Sequence, residues 1–101
     1  MRMLMNITFP HEVFNTAVRD GSIGGKIARI MEELKPEAAY FTEQDGRRGA
    51  FMVVTMDNSS QIPAYAEPWF LLFNADVKFR IAMTPEDLGK AGLADLGKRW
   101  G

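Results

Sequence analysis

With 101 residues, 47% of them hydrophobic, the chain is long enough for one domain with a single core and too short for a second. Its 12 basic and 13 acidic residues leave a formal charge of -1 with no run of one sign, which argues against a nucleic-acid footprint or an electrostatic membrane anchor. The absence of cysteine removes disulfides, thiolate nucleophiles and sulfur-ligated metals together, as suits a cytoplasmic protein.

From Arg2 to Phe9 the side chains alternate, with Met3, Met5, Ile7 and Phe9 on one face and Leu4, Asn6 and Thr8 on the other, so a first strand is expected. No signal peptide is expected at the start, because the short apolar run is broken by Asn6 and lacks a small-residue cleavage site. After Pro10, His11 to Arg19 predicts a short helix burying Val13, Phe14, Ala17 and Val18. Ile23, Ile27, Ile30, Met31 and Leu34 continue the helical spacing to Lys35-Pro36. The two pieces are expected to form one helix bent or interrupted near Gly21 to Gly25.

Two β-rich runs, Glu37 to Gln44 and Arg48 to Met56, flank Asp45-Gly46-Arg47 and predict a hairpin, since Asp-Gly readily supplies the positive φ angles of a tight turn. The next helix, capped by Asp57, Ser59 or Ser60, carries an apolar stripe of Ile62, Tyr65, Ala66, Trp69, Leu72 and Phe73, and Pro68 should kink or restart it. Val77, Phe79, Ile81 and Met83 alternate with Lys78, Arg80, Ala82 and Thr84 as a fourth strand. Thr84-Pro85-Glu86-Asp87 opens a short tail helix, which Gly89, Gly92 and Gly97 weaken.

The order β-α-β-β-α-β plus a tail helix is an α+β, ferredoxin-like arrangement, with the first and third strands central in a four-stranded antiparallel sheet. The third strand is apolar on both sides: Phe51 and Val53 one way, Ala50, Met52, Val54 and Met56 the other. Two helices cover only one face of a sheet. A second copy is the cheapest cover for the other, so a homodimer packed face to face is expected.

Motifs for chemistry are sparse. Gly21 to Lys26 falls one residue short of a phosphate-binding loop, has Ile27 where a hydroxyl is needed, and follows a helix instead of a strand. Arg48 to Thr55 lies where an RNA-recognition domain displays stacking aromatics, but the corresponding positions hold Ala50 and Met52, with Met5 on the first strand. His11 is the only histidine, and the pairs Glu32-Glu33 and Glu86-Asp87 diverge around their helices, so no metal site or hydrolytic triad is expected. What remains is a polar set expected to share the second sheet face: Asn6, Thr8, Tyr40, Thr42 and Arg80. With Arg80 as anchor and Tyr40 and Asn6 orienting, it would make a pocket for a small carboxylated or phenolic ligand. The alternative is that Lys78 and Arg80 guard an edge strand while Tyr40 packs in the interface. Trp69 and Tyr65 read either as core or as one wall of a cleft.

The blocks KPEAAYFTEQDGRRGAF, IPAYAEPWFLLFNADVKF and AMTPEDL resemble small bacterial proteins of unassigned activity in the dimeric α+β barrel superfamily, whose relatives include muconolactone isomerases and cofactor-free monooxygenases. The resemblance spans roughly Met3 to Leu88 and implies a dimer whose two sheets close into a barrel. It also implies isomerase-type or monooxygenase-type chemistry without a cofactor. In monooxygenases of this kind an Asn on the first strand and a Trp on the second helix matter, places that Asn6 and Trp69 could take. The His near the fourth strand that haem-degrading relatives need is missing between Val77 and Thr84, and no isomerase-type acid-base set stands at matching positions. A dimerisation or interaction module without chemistry is the alternative from another class.

Overall fold

A computed structural model describes residues 1–101. Its elements run β1 (Arg2–Thr8), α1 (His11–Asp20), α2 (Ile23–Leu34), β2 (Ala38–Gln44), β3 (Arg47–Thr55), α3 (Ile62–Phe73), β4 (Asp76–Ala82), α4 (Pro85–Gly89) and α5 (Leu93–Trp100), with a 3₁₀ turn at Ser59–Gln61. The four strands form one antiparallel sheet in the order β2-β3-β1-β4, so β1 and β3 are central, consistent with a ferredoxin-like fold.

Alternation decides which side of the sheet is buried. Met3, Met5 and Ile7 from β1 and Ala50, Met52 and Val54 from β3 point toward the helices and are buried. Ile30 and Leu34 of α2 and Trp69 and Phe73 of α3 close that core. Phe9 sits at its upper end, with ring centroids 5.1 Å from Phe14, 5.3 Å from Phe73 and 5.8 Å from Trp69, all edge-to-face. The Arg48 guanidinium covers this cluster, 4.5 Å from the Phe14 ring centroid, and donates to Asn15 Oδ1 at 2.8 Å.

The hairpin has a two-residue turn: Asp45 and Gly46 both have positive φ, 51° and 79°, which matches the twist of the flanking strands. Five local expectations need correction. The first helical region is two helices broken only at Gly21-Ser22, because Gly21 takes the left-handed conformation (φ 81°) and the Asp20 carboxylate accepts from the Ser22 amide at 2.8 Å; Gly24 and Gly25 lie inside α2. Val18 is exposed, not buried. None of Asp57, Ser59 or Ser60 caps α3, whose N-cap is Gln61 without a side-chain bond; Asn58 caps the 3₁₀ turn ahead of it by accepting from the Ser60 amide. Helix α3 runs through Pro68 without a restart: the carbonyl that loses its partner belongs to Ala64, on the exposed side, where water can satisfy it. The tail is also two helices, divided at Gly92 (φ 71°), and Thr84 caps the first in a capping box: its hydroxyl accepts from the Asp87 amide at 3.1 Å and the Asp87 carboxylate from the Thr84 amide at 3.0 Å.

One close approach requires glycine. Gly49 lies on the non-helical face beneath the side chain of Gln44, whose Nε2 donates to the Ile7 carbonyl at 3.0 Å and ties the hairpin to β1. A Cβ at position 49 would overlap that side chain and displace it. Gly49→Ala is therefore expected to cost about 1 kcal/mol, the worth of one such bond, and Gln44→Ala a similar amount. Urea denaturation should show the double variant no worse than either single one; additive losses would mean that the glycine matters for another reason.

Candidate functional site

The register settles what shares the non-helical face. Across the sheet, Tyr40, Phe51, Asn6 and Lys78 form one row; Ala38, Val53, Leu4 and Arg80 form the next; Thr42, Gly49, Thr8 and Asp76 form the row on the other side. Asn6, Thr8, Tyr40, Thr42 and Arg80 thus stand on one surface. No helix of the chain covers it, and Tyr40 is 70% exposed.

Within this surface a depression of about 300 Å³ is lined by Leu4, Asn6, Phe51, Lys78 and Arg80. Of the five expected side chains it brings Asn6 and Arg80 together. Tyr40 flanks it beyond Phe51, and Thr8 lies one row away. Thr42 contributes instead to a second depression of about 360 Å³ with His11, Glu43, Gly46, Arg47 and Arg48, which has no hydrophobic lining. Trp69 is elsewhere. It is fully buried on the helical side, stacked near Phe73, so the sheet separates it from Asn6.

Two properties make the Leu4–Arg80 depression chemically distinct. Asn6 Oδ1 is buried and accepts no hydrogen bond, a deficit of roughly 1–3 kcal/mol until a donor arrives. Lys78 and Arg80, two residues apart on the same side of an edge strand, have no acidic partner; the only ion pair in the protein joins Arg2 and Glu37. An acceptor seeking a donor, beside two cations seeking an anion, over the apolar surfaces of Leu4 and Phe51, suits a small organic acid that also carries a hydroxyl. Lys78, Leu4 and Phe51 were not among the expected ligand residues. Lys78 reads in sequence as an edge guard, and nothing local marks Leu4 or Phe51 as lining a site; only the pairing Leu4↔Arg80 and Phe51↔Asn6 does.

No protein-family model matches the sequence, and no curated protein matches it. No helix is long and apolar enough to cross a membrane.

At the lower border of the same face, Arg2 Nε donates to Glu37 Oε2 at 3.0 Å while the Thr55 hydroxyl donates to Glu37 Oε1 at 2.6 Å. The Thr55 hydroxyl, then the Arg2 guanidinium, hold the Glu37 carboxyl below its ordinary range, and Glu37 in turn raises Arg2. Asp87 is likewise lowered by the Thr84 amide and hydroxyl of its capping box. A carboxyl whose folded-state pKa is depressed stabilises the fold above its ordinary titration range, and that contribution is lost as pH falls through the lowered value. Urea midpoints are therefore expected to drop between about pH 5 and about pH 3, with a smaller drop in Glu37→Gln. An identical pH dependence in the variant would remove Glu37 from the acid response.

Proposed function

We propose that the chain acts as a homodimer in which two open sheet faces meet, enclosing the Leu4–Arg80 depression as a chamber for a small hydroxylated or phenolic organic acid. What carries the reading is the pairing, on one uncovered face, of an orphaned Asn6 Oδ1 with the unpaired cations Lys78 and Arg80. Coverage supports the pair. Only 16 of 101 residues are buried in the single chain, and Tyr40 on edge strand β2 and Phe51 on central strand β3 are exposed on the uncovered face. The resemblance to dimeric α+β barrel proteins points the same way.

In this chamber Arg80 grips the carboxylate with its planar fork, Lys78 adds charge, and Asn6 accepts from the ligand hydroxyl. The ring or alkyl body lies on Leu4 and Phe51, with Tyr40 at the margin. Isomerase-type or monooxygenase-type chemistry, which the resemblance implies, would draw on Lys78 and Arg80 to stabilise an enolate or phenolate oxygen. The lining contains no carboxylate or histidine, so Lys78 and Arg80 contribute charge and hydrogen-bond donors to it and no general base stands among the lining residues. Trp69 has no part in this reading.

The reading is tested with 4-hydroxybenzoate as probe, by calorimetric titration alongside sedimentation equilibrium. The wild type is expected to be a dimer that binds the probe, and Arg80→Ala to remain a dimer while losing about tenfold or more in affinity, as befits a charge-assisted bond. Undiminished affinity in Arg80→Ala removes the anchor role. A monomer at micromolar concentration removes the chamber.

A further inference from the structure

The chain carries a second uncovered apolar surface and a detached element that matches it. Every residue from Pro85 to Gly101 is exposed, and the molecule measures 60 × 28 × 19 Å. Its radius of gyration is 17.1 Å, where about 13 Å is usual for a domain of this length, so α4 and α5 stand off the body as an arm. An isolated eight-residue helix containing Gly97 is too short to persist in water without a surface to pack on. Helix α5 nevertheless has a well-formed apolar stripe: Leu93, Leu96 and Trp100 at helical spacing, Trp100 80% exposed, with Arg99 beside the stripe.

Helix α3 has the complementary problem. Glu67 is its only charged residue, and its outer side presents Pro63, Ala64, Phe70 and Leu71 to solvent, Leu71 at 77%. A helix apolar on nearly every side is ordinarily covered on every side. Between α2 and α3 lies a groove of about 390 Å³ with Ile30, Pro63, Pro68, Leu71 and Leu72 in its lining and Arg29, Glu33 and Glu67 at its rim. The rim sums to one negative charge (one Arg against two Glu); α5 sums to one positive (Lys98 and Arg99 against Asp95).

We propose that α5 of one copy docks in the α2–α3 groove of the other, Trp100 and Leu96 on its apolar floor and Arg99 against Glu33 and Glu67. This rests on the pair proposed above, whose twofold symmetry closes the exchange so that both arms and both grooves are used. Burying an aromatic removes roughly 150–250 Å² of surface. Docking would remove from water the two most exposed apolar side chains of these surfaces, Trp100 on the arm (80% exposed) and Leu71 in the groove (77%).

The test combines sedimentation equilibrium with acrylamide quenching of Trp100, read as the difference between wild type and Trp100→Phe, across a dilution series. Trp100 is expected to be quenched freely in dilute monomer and protected as the pair forms. Trp100→Ser and Leu71→Asp should each weaken the pair about tenfold or more. Arg99→Glu should weaken it as well, and adding Glu67→Arg or Glu33→Arg should restore it. A pair that forms with Trp100 still freely quenched, or whose dissociation constant ignores these changes, overturns the arm exchange and leaves the sheet-face dimer standing. Protection of Trp100 that persists in the monomer overturns it too, since the arm would then fold back on its own chain. A monomer at every concentration overturns both.

Discussion

Three helices packed on one side of a four-stranded sheet leave the other side bare, and most of what is distinctive in this molecule follows from that imbalance. The helical side is a closed core in which Met, Ile, Val, Trp and Phe side chains are wholly removed from water. The bare side is made by the same two central strands, whose alternate residues cannot be equally polar without weakening the strand, and so it shows Leu4, Phe51 and Val53. Into this apolar field the chain sets Asn6, Lys78 and Arg80. Polar groups placed on the middle of an uncovered apolar face are in water only while the face is bare; once it is covered, each needs a specific partner.

That requirement separates a face built merely for pairing from one built around a guest. A pairing surface can keep its cations at the rim, where their charge stays solvated and aids solubility. Arg80 does lie on the edge strand β4, as a rim residue would. Asn6 does not: it is on central β1, between Phe51 and Lys78, and its carbonyl oxygen is already out of contact with water in the single chain. The cost of that uncompensated acceptor is thus present before any pairing, and a ligand hydroxyl or N–H would offset it. The chemistry of the depression is thus set more by Asn6 than by the cations beside it.

Much of the fold was legible because its signals are local. The strict alternation of Arg2 to Phe9, the Asp45-Gly46 turn and the helix start at Thr84-Pro85 each depend on neighbours within a few residues, and each is found where the sequence places it. Where the structure departs from local signals, tertiary context decides. Pro68 breaks an isolated helix, but here its missing bond faces solvent and the helix is held by Trp69 and Phe73 on its inner side. Sequence alone does not single out Asn58 as the cap of the 3₁₀ turn, because its neighbours Asp57, Ser59 and Ser60 offer equally good capping oxygens and only the chain path decides among them. The face shared by Asn6, Tyr40 and Arg80 could be read by counting in twos along each strand, but the depression could not: it depends on which residues of different strands lie opposite one another, and a shift of two would keep every face while replacing every neighbour. Trp69 shows the converse limit, since a large aromatic on a helix stripe reads alike as core or as cleft wall until its burial is known.

The two uncovered apolar surfaces bear differently on assembly. A sheet face can pair with its own image, because the same residues meet across a twofold axis and rows of like shape interlock. A groove between helices cannot fill itself; it needs a ridge, and the ridge this chain possesses is α5. Were the groove and the arm served by unrelated molecules, a short helix with Gly97 at its centre would have to wait unfolded for its partner and meet the ordering cost upon binding. In the proposed pair, carrying both on one chain would make the second contact intramolecular in effect, so that even a weak helix would dock at high local concentration. The low helical propensity of the arm is then compatible with a stable contact, and the same weakness lets it come away without dissolving the pair.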